Sequence, residues 1–330
     1  MRKVLLFSSL AFLAFLSYSC EKEINLKAQT PPGQLYANSI LNPDSVFRVF
    51  ISYSTAITAP LNEIEDRLTQ AIDAVVVIKD DNGAIIDTLE FIQKVYSGIN
   101  SSFLVFESIE GLRPLPSQTY ELYVSEPAIK NSKIISAQAT LPTSFAPIYA
   151  KKRNPRRVIT GTDQTFAIDL AWEDPNPQQE NLFIIEATYR NIDWAWGFPE
   201  LAKSELYSIA SENDNEEIGP ANGKFFYIFI DDNKLRDRQR TDSIFTRIGV
   251  LTHTFDQWVD YGNPFSSELL IHVHHVSEDL YDYYQDVEKY RINSSGTDIF
   301  AQPVPVRGNV QGGLGILGTE IVQEAVLIYQ

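Results

Sequence analysis

One cysteine, Cys20, serves all 330 residues, so no disulfide can form within the chain and a bridge-stapled scaffold is excluded. Basic residues are scarce beside acidic ones, 27 against 43, and the formal net charge is −16. A surface of that sign repels phosphate. It argues against nucleic acid and anionic lipid as partners and favours solubility on an exposed surface. Long apolar runs are also missing. The stretch Val4 to Leu16 is uncharged and mostly apolar, but it falls short of the ~20 residues that a membrane-spanning helix needs. No G-x-S-x-G elbow, H-E-x-x-H pair or phosphate loop occurs, and nothing in the order of the acidic residues singles out a catalytic pair. The reading is non-enzymatic, with no cofactor and no metal.

What is present begins at the N-terminus. Arg2 and Lys3 precede the apolar run, Ser17-Tyr18-Ser19-Cys20 follows it, and Glu21-Lys22-Glu23 comes next. This is the three-part layout of a secretory signal peptide over residues 1–19. A small residue before the lone cysteine resembles a lipobox, in which the thiol is acylated and Cys20 becomes the first mature residue. Lipid chains contribute ~0.8 kcal/mol per buried methylene, so several of them make a stable anchor. Loss of Arg2 and Lys3 with the leader takes the charge from −16 to −18. Glu21, Lys22 and Glu23 resemble the signal that sends Bacteroidota lipoproteins to the outer face of the outer membrane. Residues 20–33, which include Pro31-Pro32-Gly33, read as a flexible tether.

Residues 34–142 carry the marks of an immunoglobulin-like β-sandwich. Short apolar alternations recur at 46–51, 74–78, 103–105, 120–124 and 134–140. Asn82-Gly83 between two of them predicts a hairpin with a type I′ turn. Residues 143–163 read as a linker. They include Lys151, Lys152, Arg153, Arg156 and Arg157, a basic cluster best explained as a solvated linker or strand edge. Residues 164–330 read as a second β-rich domain, with strands near 166–172, 182–189, 225–230, 244–251, 269–276 and 321–329. It carries one amphipathic helix near 278–292, which Ser277 caps and Glu278 and Asp279 favour at its positive end. The apolar stripe of that helix is expected to pack on the second sheet.

Three motifs invite chemistry. Gly313-x-Gly315-x-x-Gly318 has the dinucleotide spelling, but too few residues follow it for a crossover helix. Close backbone packing explains it better. His272 and His274 share one face of a strand while His275 faces the other way. Two imidazoles on one face can begin a zinc site, but no third ligand has convincing spacing, so packed or surface histidines are the expectation. Asp80-Asp81-Asn82-Gly83 and Asp231-Asp232-Asn233 are fragments of calcium loops without the full pattern. The long insertion 191–223 carries Trp194, Trp196 and Phe198, aromatic candidates for anchoring a partner or a sugar.

Taken in order, several segments resemble the Bacteroidota outer-membrane lipoprotein family catalogued as domain of unknown function 4249. They are Cys20–Ile24, Ala74–Gly83, Gly111, Tyr120–Val124, Ala139–Pro142, Trp172–Pro175 with Asn181, Val304–Asn309 and Gly312–Gly318. Leu317 stands where the family usually has Phe. The resemblance implies a lipid-anchored, surface-exposed outer-membrane protein that works beside a SusC-like TonB-dependent receptor. Its role would be like that of the SusD-like lids, without their helical fold. It implies no catalytic residues. The alternatives are an extracellular accessory of outer-membrane protein assembly, a stand-alone glycan- or peptide-binding module, and a hydrolase built on two carboxylates about 5–10 Å apart.

Overall fold

Period-two alternation becomes strand over most of the chain. The computed structural model describes residues 34–54, 68–69, 71–96, 102–125, 134–152, 156–157, 164–193, 200–201, 205–206, 209–211, 227–232, 243–252, 267–294 and 305–329. Cys20, Glu21, Lys22, Glu23, Trp194, Trp196 and Phe198 lie outside the described residues. The first strands are β1 (Leu35–Leu41), β2 (Arg48–Tyr53), β3 (Val75–Asp80), β4 (Ile85–Tyr96), β5 (Ser102–Glu107), β6 (Thr119–Ser125) and β7 (Ile134–Thr140). Next come β8 (Tyr149–Lys152), β9 (Arg156–Arg157), β10 (Gln164–Glu173), β11 (Leu182–Asp193), β12 (Glu200–Leu201), β13 (Glu205–Leu206) and β14 (Ile209–Ser211). β15 (Ile228–Asp231), β16 (Ser243–Thr252), β17 (Ser267–Val276), helix α1 (Glu278–Ser294) and β18 (Leu314–Tyr329) complete a mainly β fold. Among the described residues no helix is long and apolar enough to cross a membrane.

One sheet order runs β12-β11-β17-β18-β1-β2-β5-β4-β3-β6-β7, and a smaller sheet runs β14-β16-β10-β8. Two long strands each serve two neighbourhoods. The first half of β4 pairs with β3 and its second half with β5, with a register shift between Phe91 and Gln93. β18 pairs parallel with β1 over Leu314–Thr319 and antiparallel with β17 over Glu320–Tyr329. A strand that changes partners midway is how a sheet turns a corner and encloses a core.

Two main cores result. The first packs Leu35, Val49, Ile51, Leu104, Phe106, Leu122 and Val124 with Leu317 from β18. The second lies between the β11–β17–β18 part of the large sheet and the smaller sheet. Phe183, Ile185, Ile271, Val273 and Ile321 there meet Ile168, Leu170, Trp172 and Ile244. Each fully buried aliphatic or phenyl side chain contributes about 1.5–3 kcal/mol. Within 143–163, β8 and β9 pair with β10, Phe145 joins the second core, and Lys151 is exposed.

The hairpin expected at Asn82-Gly83 forms, but its turn differs. Asp80 N–H donates to Ala84 O at 2.9 Å and Gly83 N–H to Asp80 O at 3.0 Å, so the loop is Asp81–Gly83. Only Gly83 there has positive φ, 78°, where a type I′ turn would need Asn82 positive too. Asp80 Oδ1 accepts the N–H groups of Asn82 and Ala84, which favours the longer loop. Elsewhere the Tyr120 hydroxyl accepts Leu115 N–H and donates to Gln118 Oε1, both at 2.9 Å, pinning the loop before β6.

The glycine motif packs backbone against backbone. Gly315 has φ 115°, and a Cβ there would stand 1.8 Å from Ala37 O on β1. A Cβ at Gly318 would meet Leu280 Cδ1 at 2.6 Å, because α1 crosses directly over β18. That helix begins after Ser277, whose carbonyl accepts Tyr281 N–H at 2.9 Å. The Ser277 hydroxyl, assigned from sequence to the helix's own N–H groups, accepts Thr319 N–H at 3.3 Å and so ties helix to strand. Leu280 and Tyr281 pack against Ile184, Val276 and Ile316 on the sheet.

Candidate functional site

Two polar features border the junction of β17, β18 and α1. The first is an open groove of about 910 Å³. Thr119, Gln138 and Thr140 from β6 and β7 line one part of it. Glu180, Asp231 and the first turns of α1, with Glu278, Asp279 and Asp282, line another. Among the described residues no lysine or arginine lines it. Asp279 accepts Asn309 Nδ2 at 2.8 Å and Asp282 accepts Arg307 at 2.6 Å, which ties the 305–309 segment to the helix. Hydroxyls, amides and carboxylates of this kind suit a cationic or polyhydroxylated ligand.

Residues around the groove are held by two devices. His275 Nδ1 donates to Thr143 O at 3.0 Å, and its ring stacks on Phe183 at 4.9 Å. Burial pushes its pKa down to about 4, so the imidazole is neutral at pH 7. The Asn181 side-chain amide stands 2.9–3.1 Å from Asp174 Oδ1, Asp232 Oδ2 and the carbonyls of Asn176 and Gln179. It fixes the turn after β10 against the end of β15. These bonds give Asp174, Asp232 and Asn176 structural work.

The second feature lies on the α1 side of the large sheet. β17 presents His272 and His274 there, while Ile271, Val273 and His275 face the second core, as strand alternation requires. β11 places Glu186 opposite His272, and β18 places Glu324 opposite His272 from the other side. Glu320 lies four residues back along β18, one same-face position beyond Val322, which stands opposite His274. The result is an alternating row, Glu324, His272, Glu186, His274, Glu320. His272 Nε2 donates to Glu324 Oε2 at 3.0 Å and His274 Nδ1 to Glu320 Oε2 at 2.9 Å. The other two ring nitrogens, His272 Nδ1 and His274 Nε2, approach Glu186 Oε1 at 3.3 and 3.6 Å. Both nitrogens are buried and face the Glu186 carboxylate as ion pairs.

The row shifts Glu186, His272 and His274. Burial alone would raise Glu186, but the two imidazoles outweigh it and hold the carboxyl at about 2. Burial would lower His274, but Glu186 and Glu320 together raise it to about 9. Glu186 raises His272 as well. Tyr227 and Tyr284 pack nearby with their rings tilted, 5.1 Å between centroids. Burial, helped by the same carboxylates, pushes both phenols up, Tyr227 to about 12. Sequence placed the two histidines on one face but missed Glu186, which comes from a strand some 85 positions away. One signal was legible: Glu186 is the lone charge in the apolar run Leu182–Ala187. Among the described residues no group of three or more His, Cys, Asp or Glu side chains could hold a metal ion.

The family whose model is described as "Domain of unknown function (DUF4249)" matches residues 21–324. A comparison with curated proteins finds no match.

Proposed function

Since the chain belongs to the DUF4249 family, we propose that it is a lipid-anchored, surface-exposed outer-membrane protein that acts as a non-enzymatic partner of a SusC-like TonB-dependent β-barrel receptor, in nutrient capture or complex assembly. The observation that carries the reading is the placement of the lone Cys20. It follows a leader-like apolar run, and the family match begins at the next residue, 21. Everything matched by the family therefore stands behind the one residue that can carry lipid. The groove supplies a polar face for a ligand or partner. We read β1–β7 as an immunoglobulin-like sandwich, supported by the Tyr120 hydroxyl that bonds back to the Leu115 backbone in the manner of a tyrosine corner.

Two measurements test the proposal. Cys20→Ala should move the protein from the membrane fraction to the soluble one; unchanged membrane abundance would sink the anchor. A pull-down in mild detergent should bring a barrel protein in stoichiometric amount. Recovery of barrel-assembly components instead would favour the accessory reading. The open groove also favours a second reading, a stand-alone glycan- or peptide-binding module, which predicts ligand binding by the isolated protein and no barrel in the pull-down.

A further inference from the structure

β7 ends the large sheet, so alternate residues along it direct their backbone groups away from β6. One contact shows which residues these are. Ser136 N–H donates to Gln311 O at 3.2 Å and Gln311 N–H returns the bond at 2.7 Å, so Ser136 faces the open edge. Alternation along an antiparallel ladder turns Gln138 and Thr140 the same way. The Thr140 carbonyl accepts the Thr319 hydroxyl at 2.7 Å. The N–H and C=O of Gln138 and the N–H of Thr140 meet no partner among the described residues. Both residues are exposed, and both line the open groove of about 910 Å³. On the reading that this groove is a binding face, we propose that it takes an extended, lysine- or arginine-bearing peptide segment of a partner protein. The segment adds as a strand to the outer edge of β7 at Gln138 and sets its cations against Glu180 and Glu278.

Three observations support the site. The first is the condition of the edge. Sheets commonly guard an open edge with lysine, proline or a bulge. The β7 sequence, IISAQAT, has neither residue, and its register with β6 runs unbroken from Ile134 to Thr140. The second is use. Gln311 already pairs antiparallel with Ser136, two residues before Gln138, so the edge accepts a neighbouring strand.

The third is charge. Backbone pairing gives a strand-addition complex its affinity, and the side chains of the added strand give it selectivity. Five carboxylates line the groove. Asp279 and Asp282 are engaged by Asn309 and Arg307. Glu180 and Glu278 are exposed, and neither has an ion pair among the described residues. Cations on the incoming strand match that wall, and anions are repelled by it.

The test uses the full chain in detergent and a fluorescent decapeptide of alternating threonine and lysine, since threonine favours the extended strand. Fluorescence anisotropy should show binding, and the Gln138 and Thr140 amides should become protected from hydrogen exchange. A threonine–glutamate decapeptide should bind at least ~10-fold more weakly. N-methylation of alternate residues removes donors from the threonine–lysine peptide without touching the protein. It should cost about 10-fold or more, the equivalent of one or two net hydrogen bonds. Gln138→Pro should cost as much, because it deletes an outward N–H at a place where edge strands tolerate proline. The Glu180→Gln/Glu278→Gln pair should weaken the lysine peptide roughly 2- to 5-fold. Failure of the parent chain to bind the threonine–lysine peptide overturns the proposal. So does equal binding of its N-methylated form, which decides the matter even if Gln138→Pro misfolds. The mild-detergent pull-down separates this proposal from the receptor partnership. A barrel recovered by a chain that binds no peptide overturns only the strand site, whereas peptide binding without a barrel supports the site and removes the partnership.

Discussion

Asn181 shows how much one side chain can hold. Its amide reaches two buried carboxylates and two loop carbonyls, and its backbone N–H donates to Asp232 Oδ1 at 2.9 Å. Asn181→Ala removes the side-chain donor from carboxylates that cannot turn to water. Chemical denaturation should show a loss of about 1–3 kcal/mol, the cost of depriving a buried polar group. A loss under ~0.3 kcal/mol would mean that other donors carry the turn. Gly315 makes the complementary point, because there the missing side chain matters. Gly315→Ala must place a Cβ into Ala37 O at a φ that L residues rarely adopt. The cost should reach the ~4–5 kcal/mol that marks exceptional substitutions. Wild-type stability in that variant would mean that β1 and β18 do not approach as closely as described.

At the scale of the element, α1 works through both its faces. Its inner face is apolar, while its outer face ties down 305–309. Arg307 Nε meets Asp286 Oδ2 at 2.6 Å, and a second nitrogen meets Oδ1 at 3.0 Å. Hydrogen bonds from Arg307, reinforced by Lys289, lower the Asp286 pKa from its usual 3.8. The unfolded chain therefore binds more protons at Asp286 than the folded chain near that pH. The stabilising contribution is complete above the unfolded value and is lost as pH falls through the lower native one. In denaturation series across acid pH, the stability gap between the parent and Asp286→Asn should be constant above pH ~5 and narrow below ~4. A gap that stays constant through the acid range would show that Arg307 does not hold the carboxylate. The helix was legible in advance because Leu280, Tyr283, Tyr284 and Val287 recur at its period. So was the alternation of most strands. Three things were not. The turn at Asp81–Gly83 depends on a side-chain bond from Asp80 that dipeptide preference ignores. The Ser277 hydroxyl found a strand partner that local reading cannot see. The histidine row needs three strands in register, and register between distant strands is set by packing, not by local pattern.

At the scale of the molecule, the question is whether the two cores behave as separate bodies. Composition shifts near 143–163 speak for separation, and the cores do draw on different stretches of sequence. β18 speaks against it. Its parallel pairing with β1 was invisible in the sequence because the partners lie some 280 residues apart, yet it places consecutive stretches of one strand in both cores. Leu317 is fully buried in the first core and Ile321 is buried in the second, four residues on. A rigid strand cannot leave one without loosening the other, so the cores should open together. Leu317→Ala should cost about 2–5 kcal/mol. Native-state hydrogen exchange should then show the same fall in opening free energy for β2 and β5 in the first core as for β10 and β16 in the second. Ile321→Ala should give the mirror result. A fall confined to the mutated core would mean that β18 yields between residues 317 and 321 and that the halves are independent folding units.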